Sequence, residues 1–180
     1  DPIIGVWNKG SITGGGFECQ AATTSCLRVD GIANLNTVAS ANSASAVHIS
    51  NGGIASIDLI HSNQDSDVLA LDGGSTFTGQ IDAGGFTRMI RASDSVTATV
   101  TSVVSASGET LVDASSLSGL DLINGNSTNA TVSSILIGSI EDLEFSSVSY
   151  LCDGTTNCID AQIDGELILR DSSFGQQNTA

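Results

Sequence analysis

The feature that most constrains this chain is an internal period of 20 to 24 residues. Short apolar segments restart at about Ile3, Cys26, Ala46, Val68, Met89, Thr110, Ser134 and Cys158. The second residue of each start is a large aliphatic: Ile4, Leu27, Val47, Leu69, Ile90, Leu111, Ile135 and Ile159. Such a succession is improbable by chance in a chain that is 40% hydrophobic. A repeat this short cannot hold a strand–helix–strand crossover, which needs roughly 30 residues or more. It can hold one turn of a stack in which each repeat covers the apolar edge of the next.

Turn signals follow the starts: Asp30-Gly31, Asn51-Gly52, Asp72-Gly73, Asp94-Ser95, Asp113-Ala114, Gly138-Ser139 and Asp164-Gly165. Asp, Asn and Gly tolerate the left-handed backbone angles of a sharp bend. A second apolar stretch comes next, such as Ile54/Ile57/Leu59 or Leu117/Leu120/Leu122, and a polar loop closes the unit. One coil therefore reads strand, tight turn, strand, polar loop. A sandwich of hairpins does not predict an in-register column, whereas a solenoid does. The expected fold is all-β: one domain over residues 1–180, a right-handed parallel β-helix of about eight coils of 20–24 residues. Stacked at the strand separation, eight coils make a rod of roughly 38 Å.

Composition agrees. The chain has 20 Gly, one Pro and only 4% aromatics, and no stretch carries a sustained helical stripe. Net charge is −15, from 20 acidic and 5 basic residues. Lys9, Arg28, Arg88, Arg91 and Arg170 are too scattered in sequence to form a phosphate-binding face, so nucleic acid is not an expected partner. Anionic membranes would repel such a chain, and no apolar run reaches the ~18 residues of a helical span.

The cysteines form two local pairs, Cys19/Cys26 and Cys152/Cys158, far from His48 and His61. Two small-loop disulfides are expected rather than zinc, and they imply an oxidising, extracellular compartment. Adjacent sequons at Asn126 and Asn129 fall in a predicted loop, where glycans could attach. The chain opens on Asp1-Pro2 and closes within a repeat, which reads as a processed form or a piece of a longer protein.

The run Ser173-Phe174-Gly175-Gln176-Gln177-Asn178-Thr179-Ala180 ends a coil with Phe, a gap of three residues, then Asn. With the coil rhythm, this resembles the right-handed β-helix repeats of pectate-lyase-like proteins and adhesin passenger domains, whose coils often close on Phe, a gap of two, then Asn. The resemblance implies a fold across nearly the whole chain.

Three functional classes follow. The first is a non-catalytic extracellular structural or surface protein, a rod for adhesion, spacing or filament assembly. It would self-associate end to end or be joined to a larger chain. The second is a carbohydrate-active or polysaccharide-binding β-helix. The acids Glu141, Asp142, Glu144, Asp153, Asp160, Asp164, Glu166 and Asp171 could supply a carboxylate pair, but Trp7 and Tyr150 stand alone as sugar platforms. The third is an ice-binding solenoid. Thr97, Thr99 and Thr101 alternate on one strand face, with Thr76 and Thr78 in the preceding coil and Ser116 and Ser118 in the next. No catalytic residue and no metal ligand set is assigned, and enzymatic activity is not expected. The Asp/Asn turn ladder could attract calcium weakly, since carboxylates stacked at about 4.8 Å would repel one another.

Overall fold

The structure, a computed structural model, describes residues 4–20, 24–114, 117–123, 131–146, 149–152 and 159–176. The first coil is β1 (Ile4–Asn8), β2 (Ser11–Thr13) and β3 (Gly16–Gln20). The second is β4 (Ser25–Val29) with β5 (Ile32–Ala41), and the third is β6 (Ser45–Ile49) with β7 (Ile54–Asn63). After β8 (Asp67–Leu71), the long strands β9 (Thr76–Ala92) and β10 (Val96–Ala114) run through corners, each closing one coil and opening another. β11 (Leu117–Ile123), β12 (Thr131–Ser146), β13 (Ser149–Cys152), β14 (Ile159–Ile163), β15 (Leu167–Arg170) and β16 (Ser173–Gln176) complete the order. The sixteen strands among the described residues join one sheet, and the described pairings are parallel, each strand lying on the coil before it. The chain is a parallel β-solenoid.

Its register is clearest in one column that crosses the whole stack: Ile12, Ala33, Ala55, Phe77, Ala98, Leu120, Leu143 and Leu167. The six inner members are buried, and the two terminal ones are not. The described solenoid has about six turns, fewer than the eight coils expected. The starts at Ile3 and Cys158 that complete the expected eight lie outside the described residues.

The aliphatic column expected from the starts holds in its middle: Leu27, Val47, Leu69 and Ile90 lie in direct register. Its neighbours differ from the expectation. Ile4 pairs with Ser25, and Val6 precedes Leu27. Val112 rather than Leu111 follows Ile90, because register shifts between β9 and β10 leave that coil one residue longer. Leu111 is still fully buried, one position along. Ile135 and Ile159 pair as expected.

Packing inside the solenoid alternates volume. Phe77 is fully buried between Ala55 and Ala98 in its column. Its ring reaches toward Gly79, whose missing Cβ would lie 3.0 Å from Phe77 Cζ and collide with the Ile57 carbonyl oxygen. Burying one such side chain contributes about 1.5–3 kcal/mol, so the aromatic and the glycine are one packing decision.

Corners stack as the strands do. Asn42, Gln64 and Gly85 hold φ of 58°, 61° and 71° in successive coils, and Asn51, Gly73 and Asp94 hold 55°, 62° and 63°. The Asn51-Gly52 and Asp72-Gly73 signals therefore mark real left-handed corners. At the first of these corners, buried Asp65 accepts from Ser43 N at 2.6 Å, Ser62 Oγ at 2.6 Å and Ser40 Oγ at 3.0 Å. One carboxyl thereby satisfies donors from two neighbouring coils. Near the N-terminal end, the Cys19–Cys26 disulfide ties the first coil to the second. Cys152 is buried and disulfide-bonded, and Cys158 lies outside the described residues.

Gly79→Ala should overpack this site and cost about 1–3 kcal/mol. Thermal unfolding checks it: the midpoint should fall by several degrees, and an unchanged midpoint would contradict the packing described.

Candidate surface-binding face

Two columns of outward residues run across β2, β5, β7, β9 and β10, with exposed Asp58 at their border. The first runs Ser11, Ile32, Ile54, Thr76, Thr97; the second runs Thr13, Asn34, Ser56, Thr78, Thr99. Alternation along each strand aims these residues away from the core, while Ala33, Leu35, Ala55, Ile57 and Phe77 point in. None of the ten is charged, on a chain of net charge −15. Ile32 and Ile54 are 46% and 50% exposed. Ile54 was expected to share the inward stretch with Ile57, but the strand places it outside. Charge returns further along, where Asp121 and Glu144 continue the second column and Asp142 the first.

Four of the five expected threonines come together. Thr76 lies beside Thr97, and Thr78 beside Thr99. Thr101 sits at the register shift between Val100 and Ser102 and has no counterpart on β9. The rank is therefore two residues wide. Thr97 Oγ1 lies 2.8 Å from Ser118 Oγ, which itself donates to the Val96 carbonyl. Ser116, the sequons at Asn126 and Asn129, and Asp153 lie outside the described residues.

The acidic turn ladder is built differently from the stack of carboxylates expected. Asp30, Ser50, Asp72 and Ser93 occupy successive coils, each amide donating to the coil below. Ser50 Oγ donates to Asp30 Oδ1 at 2.5 Å, and Ser93 Oγ donates to Asp72 Oδ1 at 2.7 Å. Alternating Asp with Ser removes the like-charge contact for which a cation was invoked. No group of three potential metal ligands occurs among the described residues.

Basic groups gather around this ladder. Trp7 Nε1 and Arg28 Nε donate to Asp30 at 2.8 and 3.2 Å. Burial pushes Asp30 up, but the hydrogen bonds from Ser50, Trp7 and Arg28, with the Arg28 charge, outweigh it and lower its pKa to about 2. Burial likewise opposes, and Ser93, His48 and Arg91 overcome it, in lowering Asp72. Asp67 is buried between Arg88 Nε at 2.6 Å and Arg91 Nε at 2.9 Å, and Arg88 also reaches Asp113. Lys9 Nζ sits 3.8 Å from the Trp7 ring centroid and the Arg28 guanidinium 5.0 Å from it. The exposed indole is therefore engaged by cations rather than bare as a sugar platform.

Sequence reasoning missed the histidine partners. His48 Nε2 is 2.6 Å from Asp72, and His61 Nδ1 is 3.1 Å from Asp82. Partners 24 and 21 residues apart are invisible without the register, although one coil length is the separation to search. His61 borders a shallow hollow with Glu18, Ser40, Asn42 and Asn63. In the acidic C-terminal region, Glu144 is held by Arg170 at 2.9 Å and Ser146 at 2.9 Å, which lower its pKa, and Asp142 accepts from the Glu166 amide.

No protein-family model, no curated protein and no solved structure matches this chain. What the coordinates assign is a fold, the parallel β-solenoid, and its surfaces carry the functional argument.

Asp30 and Asp72 are depressed in the folded state, so the stability they contribute is complete above the unfolded carboxyl pKa near 3.9. It is lost as pH falls, for Asp30 down to about 2. Thermal midpoints measured at pH 6 and again near pH 2.5 should fall less for Asp30→Asn than for the unmodified chain. Equal falls would show that Asp30 is not coupled to folding.

Proposed function

We propose that this chain is a non-catalytic extracellular surface module: a rigid β-solenoid of the right-handed β-helix type that spaces or adheres through its flat face. The observation that carries this reading is the uncharged rank from Ser11/Thr13 to Thr97/Thr99 on a strongly acidic protein. Along these two columns a partner meets no charge in five coils, although Asp58 lines the same hollow as Thr13, Asn34 and Ser56 at their border. The half-exposed Ile32 and Ile54 add apolar area to such a contact. Cross-coil ion pairs and the Cys19–Cys26 disulfide support rigidity, and the disulfide supports secretion. Glycans at Asn126 and Asn129 would fit the same compartment.

A second reading, ice binding, draws on the side-by-side pairs Thr76/Thr97 and Thr78/Thr99, whose spacing is fixed by the strand ladder. The polysaccharide alternative draws on the same face through its mixed hydroxyl, amide and aliphatic content.

Partitioning of the chain onto ice and onto crystalline cellulose tests these readings together. Ile54→Lys with Thr78→Glu should weaken adsorption at least about tenfold while leaving the thermal midpoint within a few degrees. Adsorption to ice alone, with thermal hysteresis, selects the ice reading, and adsorption to cellulose alone selects polysaccharide contact. Failure to adsorb to either solid, or adsorption that ignores the double variant, would remove this face from the function.

A further inference from the structure

Further along β5 and β7, away from the two uncharged columns, the surface is notched. The register sets Glu18, Ala39 and His61 in one outward column, and Gln20, Ala41 and Asn63 in a second. The middle member of each is a half-buried alanine, and the outer members are larger, polar and exposed. Neighbouring strands lie roughly 4.8 Å apart, so the two walls stand about 9.6 Å from each other across the alanines. The result is a hollow of about 370 Å³. Small-molecule sites span roughly 300–1,000 Å³.

The walls are held in place and chemically mixed. Asp82, the next member of the Glu18 column, lies 3.1 Å from His61 Nδ1. A carboxylate there favours the proton on Nδ1, which makes Nε2 of the neutral ring an acceptor. Glu18 is an acceptor on the opposite wall. Gln20, Asn63 and the corner residue Asn42 supply amides, each with donors and an acceptor. The corner fixes Asn42 at φ 58°, and its backbone amide donates to the Asn63 carbonyl at 3.2 Å. Between the alanines, Ser40 turns inward and donates to buried Asp65 at 3.0 Å, which braces the floor from within. Neither Lys nor Arg is among the described lining residues. An anionic ligand would therefore meet Glu18 and the field of a chain of net charge −15 without compensation.

We propose that this hollow binds one neutral sugar residue of a glycan. Each sugar hydroxyl both donates and accepts, which matches a carboxylate, an imidazole and amides converging from two walls. The Ala39 and Ala41 methyl groups supply a small apolar floor for the C–H face of a pyranose, in place of an aromatic platform. The uncharged columns suit an extended partner, and the hollow suits a single residue. The inference does not rest on adsorption through the uncharged columns. It adds a second contact to the same module and fails separately.

Amide-detected nuclear magnetic resonance titration of the labelled chain with the methyl glycosides of glucose, mannose and galactose tests this. At least one should give saturable shifts confined to the amides around Glu18, Gln20, Ala39, Ala41, His61 and Asn63. A single residue in an open hollow should bind with Kd of about 1–10 mM. Ala39→Leu, which fills the notch from an outward position, should abolish the shifts. Glu18→Gln should weaken binding at least about fivefold. Unchanged spectra elsewhere show that each variant is folded, and if Ala39→Leu does not fold, Glu18→Gln decides alone. Glucuronate and glucosamine, anionic and cationic counterparts of glucose, should bind more weakly than the best neutral glycoside. Three results would overturn the proposal: no saturable shift from any neutral glycoside at about 100 mM, shifts that ignore the folded variants, or tighter binding of either charged sugar. Adsorption through the uncharged columns without sugar binding here, or the reverse, separates this inference from the reading above.

Discussion

Parallel pairing between successive coils is the constraint on which everything else in this structure depends. Each strand satisfies its backbone groups on the strand one coil away, so each residue must lie over a residue 20 to 24 positions earlier. A slip of one residue would turn every inward side chain outward. The length of a coil can therefore vary only where the pairing tolerates an extra residue. The shifts at Val100/Ser102 and Val103/Ser105 each add a residue to β10, the one at Ser107/Gly108 adds Gly85 to β9, and the columns resume on either side of them.

Once the register is fixed, the chemistry of each surface follows from which residues are stacked. Inward columns place small residues against large ones, as Ala55, Phe77 and Ala98 show. Outward columns decide whether a strongly acidic chain repels itself. Alternating Asp30, Ser50, Asp72 and Ser93 converts a column of charges into a column of hydrogen bonds. Arg88 and Arg91 brace neighbouring coils through Asp67, Arg170 does so through Glu144, and Arg28 pairs with Asp30 within its own coil. Two outward columns carry neither acid nor base in five successive coils, with Asp58 at their border.

Much of this was legible in the sequence. The period, the all-β class and the column Leu27, Val47, Leu69, Ile90 could be read because large aliphatics mark an inward position unambiguously. The better column, Ile12 to Leu167, was not read, because three of its members are Ala33, Ala55 and Ala98, and alanine gives little hydrophobic contrast. Ile54 misled for the opposite reason: a large aliphatic at an outward position looks like core. Contacts between coils, such as His48 with Asp72 and Ser40 with Asp65, could not be assigned before the register was known, because a one-residue error moves either partner to the other face. Of the candidate face, the pairing of Thr76 and Thr78 with Thr97 and Thr99 was legible. Its extension through Ile32, Asn34, Ile54 and Ser56 was not, because those residues share no type.

The central claim is the stack itself, and nuclear Overhauser contacts in the isotopically labelled chain test it most directly. The account predicts that the Phe77 ring contacts the Ala55 and Ala98 methyl groups, and that Ala98 contacts Leu120, each one coil apart in the same column. Strong Hα–Hα contacts between neighbouring segments, the mark of antiparallel hairpins, would contradict it.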